Sequence, residues 1–190
     1  VQTSNIYDNA AAFGAGIAND GDLTVSSSDI YANIAGQRGG GLHNSFNLTV
    51  QTSNIYDNEA GSGGGGGISS ESGTVLVEQT AVHGNSAQFG GGIIHNVLVG
   101  ENSFTITNST ISSNDALGDG GGLRNDGIAV TELYNVTIYN NTSIAIVGKA
   151  VSIVAGSVTA QNSIISSTGT DCSGALSSSG HNIGSDSSCG

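Results

Sequence analysis

Glu59 with Asp115, Asp8 with Asp57, four histidines and five tyrosines carry most of the side-chain chemistry open to this 190-residue chain. Two carboxylates facing each other about 5 to 10 Å apart are the minimum for hydrolysing a glycosidic bond. Asp8 and Asp57 close identical NIYD segments, while Glu59 and Asp115 each follow an Asn. A lyase acting on an anionic polysaccharide would also need basic groups, and Arg38, Arg124 and Lys149 fall at unrelated spacings. His43, His83, His95 and His181 show no HExxH-type spacing. His43 and His95 each precede an Asn, which reads as a turn position. The Gly63–Gly67 tract lacks the Lys and the following helix of a phosphate loop. No Ser stands in a G-x-S-x-G elbow. Calcium is the one cofactor the acids suggest. Asp20 with Asp22, and Asp115 with Asp119, are loop carboxylates that could join backbone carbonyls around a hard cation.

Composition narrows the partners. The formal net charge is −12, and only three residues are Lys or Arg. Such a surface has little with which to neutralise phosphates, so neither nucleic acid nor membrane insertion is expected. The apolar runs are also far too short to span a bilayer. Cys172 and Cys189 sit together near one terminus, which reads as a disulfide closing a local loop in an oxidising compartment, with two free thiols as the alternative.

These residues are positioned by a repeat. VQTSNIYDN occurs unchanged at Val1–Asn9 and Val50–Asn58, and weaker copies begin at Leu23, Leu48, Val75, Phe104, Thr131 and Val158. Those starts are 25, 27, 29, 27 and 27 residues apart. Each unit also carries a Gly run followed by an aliphatic, as in GGGLHN and GGGLRN. Aligned, the units give three aliphatic columns. One is Val1, Val25, Val50, Val77, Ile106, Leu133 and Ala160. Another is Ile6, Ile30, Ile55, Val82, Ile111, Ile138 and Ile165. The third is Ile17, Leu42, Ile68, Ile93 or Ile94, Leu123 and Val151. Period-two alternation rich in Val, Ile and Thr predicts short strands. A single unit cannot bury its own apolar face, but parallel stacking buries all of them. The fold expected is an all-β, right-handed, single-stranded parallel β-helix of about seven coils of 25–29 residues. Repeats fill 1–169, and 170–190 form a disulfide-closed cap.

Polar columns run beside the aliphatic ones. Asn9, Asn33, Asn58, Asn85, Asn114 and Asn141 share one register, which predicts an inward ladder of amides at a sharp turn. Asn accepts the left-handed conformation that such a turn requires. Asn19, Asn44, Asn96 and Asn125 form a shorter run after the Gly tract. Tyr7, Tyr31, Tyr56, His83 and Tyr139 precede the ladder and predict an outer aromatic stack, with glycan stacking as its sharper reading. In the register, Glu59 and Asp115 lie two coils apart with Ser86 between, and Asp8 and Asp57 with Ala32 between, so neither is an adjacent-coil pair. A Thr column (Thr24, Thr49, Thr105 and Thr159) is interrupted by Leu76 and Glu132, too irregular for an ice-binding face.

The LTVxxSxIxxN…GGGLxN unit resembles the parallel β-helix repeats of large secreted bacterial surface proteins, the polymorphic outer-membrane and adhesin-like families. The ending from Thr170 to Gly190 is similar to a Cys-paired close of such tracts. The resemblance implies an extracellular or cell-surface location and a structural or adhesive role without catalysis. It also implies partners among further coils, whether head-to-tail copies or neighbouring repeats of a longer chain, and among cell-surface glycans. The alternative is a polysaccharide-binding or polysaccharide-degrading β-helix.

Overall fold

The computed structural model describes residues 1–97, 102–145 and 147–189. The chain winds into a parallel β-solenoid of about six turns rather than the seven counted from the repeats. Every strand pairing among the described residues is parallel, and each joins equivalent segments of neighbouring turns. Val50 faces Val77, for example, and Ile55 faces Val82. Three sheets result. One has eight strands, from Asn5–Tyr7 to Ile183–Gly184, and one has six, from Ala10–Phe13 to Thr142–Ser143. The third has twelve-stranded order and takes two segments from most turns, such as Ile17–Asn19 and Leu23–Ser26. Those two segments fuse into single long strands at Leu123–Tyr134 and Val151–Gln161.

The aliphatic columns form the core. Val25, Val50, Val77, Ile106 and Leu133 are buried, as are Ile30, Ile55, Val82, Ile111 and Ile138. In the third column Ile93, not Ile94, faces inward, aligned between Ile68 and Leu123. Each fully buried aliphatic contributes roughly 1.5 to 3 kcal/mol relative to an exposed one, and no single turn could enclose its own.

The Asn ladder is inward and continuous. Each amide oxygen accepts from the Nδ2 of the preceding turn's Asn at 2.9–3.0 Å, from Asn9 through Asn141. The left-handed backbone, however, belongs to the residue before each ladder Asn. Asp8, Ala32, Asp57, Ser113 and Asn140 have φ of 53–56°. The ladder Asn itself does not take the left-handed conformation, and its side chain is directed into the core at the corner.

The Gly tract serves this ladder. A Cβ on Gly67 would meet the Gly92 carbonyl at 2.7 Å and the Asn85 Nδ2 at 3.1 Å. Gly41 meets Asn58 in the same way. One turn's backbone thus runs against the next turn's ladder amide, closer than any side chain permits. In the last such position stands Ala150, where the next turn offers Thr168 instead of Asn. The glycines are required by this approach as much as by tight turning.

A second ladder is made of hydroxyls. The backbone N–H groups of Ser4, Ser28, Ser53 and Thr80 donate to Ser28, Ser53, Thr80 and Ser109 Oγ of the following turn. Val136 interrupts it, and its own N–H donates to Ser163 Oγ. The shorter Asn run differs from expectation. Asn19 bonds Asn44 at 2.7 Å and Asn44 bonds Ser70 at 3.2 Å, but the next place belongs to His95 rather than Asn96. Because Ile93 is the inward aliphatic, period-two alternation points His95 inward as well. His95 is therefore a fully buried strand residue and not a turn residue.

Candidate functional site

Tyr7, Tyr31 and Tyr56 occupy matched places on the outer face of the eight-stranded sheet. Their rings stack at 5.0 and 4.9 Å between centroids with planes 7° and 6° apart, and His83 continues the row at 5.2 Å. Parallel in-register pairing produces this arrangement, because each ring rises from the same point one rung above the last. Tyr139 is not in the row. Ser112 and Ser166 flank it in its column, so its ring stands alone and 47% exposed. Within the row, both faces of Tyr31 and Tyr56 are covered by neighbours. The row thus presents ring edges and hydroxyls, with an open face only at its ends. Partial desolvation, then Tyr7, Asp8 and Asp29, push the Tyr31 phenol up. Desolvation, then Asp29, act likewise on Tyr56.

Glu59, Ser86 and Asp115 align in consecutive turns of the six-stranded sheet. They line an open cleft of about 430 Å³ with Ser62, Gln88 and Leu117. Two rungs separate the carboxylate-bearing positions, roughly 10 Å. Asp115 Oδ1 accepts a hydrogen bond from Thr142 Oγ1 at 2.5 Å. Asp8 and Asp57 are also two turns apart, with Ala32 between them.

Among the described residues, no Lys or Arg lines that cleft. Arg38 pairs with Glu71. Arg124 pairs with Asp119 and Asp126, the latter at 2.9 Å, and lies 4.4 Å over the Phe89 ring. Asp119, one of the calcium candidates, is therefore engaged by Arg124 and also accepts from Ser152 Oγ. Asp22 accepts from Asn47 at 2.7 Å. Asp20, Asp22, Asp115 and Asp119 do not gather into a group of three candidate ligands. Among the described residues only Asp171, Asp186 and Cys189 do. That trio lies in the disulfide-closed last turn. Buried Asp171 accepts from the Ser167 and Ser185 N–H groups and the Ser185 hydroxyl at 2.6–3.0 Å. Cys189 is bonded to Cys172, as expected, with a separation of 17 residues.

The histidines are dispersed. His43, on the outer side of the strand Leu42–Asn44, lies 5.6 Å from the Phe13 ring, and burial followed by the Arg38 charge lowers its pKa. His95 Nδ1 lies 3.1 Å from Asn125 Oδ1 and 2.9 Å from Thr131 Oγ1. Burial lowers its pKa to about 4.

The hydroxyl ladder and the Arg124–Phe89 stack were not anticipated from the sequence. The first had a signal in the fixed Ser of LTVxxSxIxxN. The second had none, because Phe89 and Arg124 follow no shared repeat position. Among the described residues no helix is long and apolar enough to cross a membrane. Compared with protein-family models, with curated proteins and with solved structures, the chain matches none of them.

Proposed function

We propose that this chain is a non-enzymatic structural and adhesive β-solenoid of an extracellular surface, associating end to end with further coils. The observation that carries the reading is where the polar chemistry goes. The six ladder asparagines bond to each other and to the backbone, and the Ser and Thr hydroxyls do the same. Rungs built this way extend by repetition, since the edge strands of the first turn offer a further coil the same backbone groups that every inner rung pairs. Heterologous stacking of that kind propagates as a filament. The disulfide fits an oxidising compartment, and the likeness of the repeat unit to bacterial surface repeats supports the placement.

Electron microscopy of the isolated protein, without added ligand, tests the proposal. Filaments whose axial repeat is near one chain length, about six turns at roughly 4.8 Å each, support it. Discrete short rods at all concentrations oppose end-to-end assembly.

The cleft at Glu59 and Asp115 favours a second reading as a polysaccharide-processing surface. An inverting glycosidase separates its carboxyls by about 6.5 to 9.5 Å, close to the two-rung spacing here. Release of reducing sugar from neutral polysaccharides, lost in both Glu59→Gln and Asp115→Asn, would carry that reading. Absence of hydrolysis across such a panel would leave the scaffold.

A further inference from the structure

The row Tyr7, Tyr31 and Tyr56 has a chemical consequence that stacking alone does not require. We propose that it is an oxidative modification site, where neighbouring tyrosines of one chain are joined as dityrosine by hydrogen peroxide and a haem peroxidase. The inference is independent of the scaffold and glycosidase readings.

Three observations support it. The backbone register is exact from turn to turn, Tyr7 against Tyr31 and Tyr31 against Tyr56. The rings are near-parallel at 5.0 and 4.9 Å, so like ring positions lie over one another and the ortho carbons are neighbours. The row is also open to solvent, Tyr7 being 49% exposed and Tyr31 and Tyr56 partly so.

Each phenol loses one electron and its O–H proton to give a phenoxyl radical, whose unpaired spin is shared with the ortho carbon. Two radicals form one carbon–carbon bond between ortho positions. The hydrogen on each of those carbons then leaves as a proton and a proton returns to each oxygen, restoring two phenols. The two electrons and two protons removed reduce one hydrogen peroxide to two waters. In this solenoid the partners are held on adjacent rungs, at an effective concentration on the order of millimolar or above. Dilute protein therefore couples within the chain before it couples between chains. The product is a covalent staple across consecutive turns.

The test treats dilute protein with a haem peroxidase and hydrogen peroxide, with free tyrosine in a parallel reaction as the control. Dityrosine fluorescence in the monomer band, and loss of two hydrogens mapped by mass spectrometry to Tyr7–Tyr31 or Tyr31–Tyr56, is the result expected. Tyr31→Phe keeps the ring and the stack but leaves Tyr7 and Tyr56 two turns apart. Its intrachain yield should fall about tenfold or more, as expected when a held neighbour is lost, while circular dichroism and thermal unfolding stay unchanged. Tyr139→Phe, outside the row, should keep the wild-type yield. The inference is overturned if dityrosine appears only in covalent dimers or if Tyr31→Phe couples as well as wild type. It also fails if the protein stays unmodified while free tyrosine couples.

Discussion

Asn85 Oδ1 accepts two hydrogen bonds from Asn58, one from its side-chain Nδ2 at 2.9 Å and one from its backbone N–H at 3.0 Å. One amide oxygen thus closes the corner of the turn before it, and Asn33, Asn58, Asn114 and Asn141 repeat the arrangement. Replacing Asn58 by Ala strands the N–H and Nδ2 of Asn33 and the Ile30 carbonyl, all of which it serves. Buried unsatisfied groups cost about 1–3 kcal/mol each, so Asn58→Ala should lose roughly 3 kcal/mol or more in chemical denaturation. Asn9→Ala, at an exposed ladder end, should lose far less. Equal losses at the two positions would show that the ladder is not what holds the corner.

Gly67 should tolerate no side chain. Gly67→Ala forces Cβ against the Gly92 carbonyl at 2.7 Å and the Asn85 amide at 3.1 Å, and overpacking of that kind costs about 1–3 kcal/mol. Gly21→Ala meets nothing within 4 Å and should be neutral to within about 0.5 kcal/mol. The comparison is made by thermal or urea unfolding of the two variants side by side.

His95 makes the protein acid-sensitive. Its folded pKa is lowered to about 4 by burial, against about 6.5 in an unfolded chain. Above pH 6.5 both states hold it neutral and no stability is lost. As pH falls below 6.5 the unfolded state takes a proton that the folded state refuses. Stability therefore declines down to about pH 4, by roughly 3 kcal/mol at 1.36 kcal/mol per unit. Burial moves His43 in the same direction. His95→Asn, which matches Asn125 in the next turn, should flatten this slope when denaturation midpoints are followed from pH 7 to 4.

The bond between Cys172 and Cys189 closes a separation of 17 residues, and Ser185 within that loop bonds to buried Asp171 just before it. Loop-closure entropy for that length amounts to about 3 kcal/mol. Reduction, or the double change to Ser, should loosen the last turn first. Hydrogen exchange would show this as lost protection at Ile164–Ser166 and Leu176–Ser178 with the central turns unaffected. Uniform loss along the chain would count against a local cap.

Five sequons sort by burial. Asn47, Asn108, Asn135 and Asn140 are exposed, whereas Asn141 is fully buried in the ladder. In a glycosylating host, glycopeptide mapping should find modification among the first four and none at Asn141 in folded protein. Occupancy at Asn141 would mean that the last ladder rung forms late or not at all.

The repeat by itself determined the class of fold, the strand register and the identity of the inward columns. The reason is geometric: a period of 25–29 residues with aliphatics at fixed offsets has one way to bury them, by stacking like on like. The alignment of Asn9 through Asn141, and of Glu59 with Ser86 and Asp115, followed from the same counting. Only the tertiary structure decided what counting cannot. It chose Ile93 over Ile94, and with that choice sent His95 into the core and Asn96 out of the ladder. It put the left-handed residue before the Asn and not at it, so that the corner is turned one residue ahead of the inward amide. It also separated Tyr139 from the row that Tyr7, Tyr31 and Tyr56 share, since a stack depends on the neighbouring rungs, and those rungs carry Ser112 and Ser166.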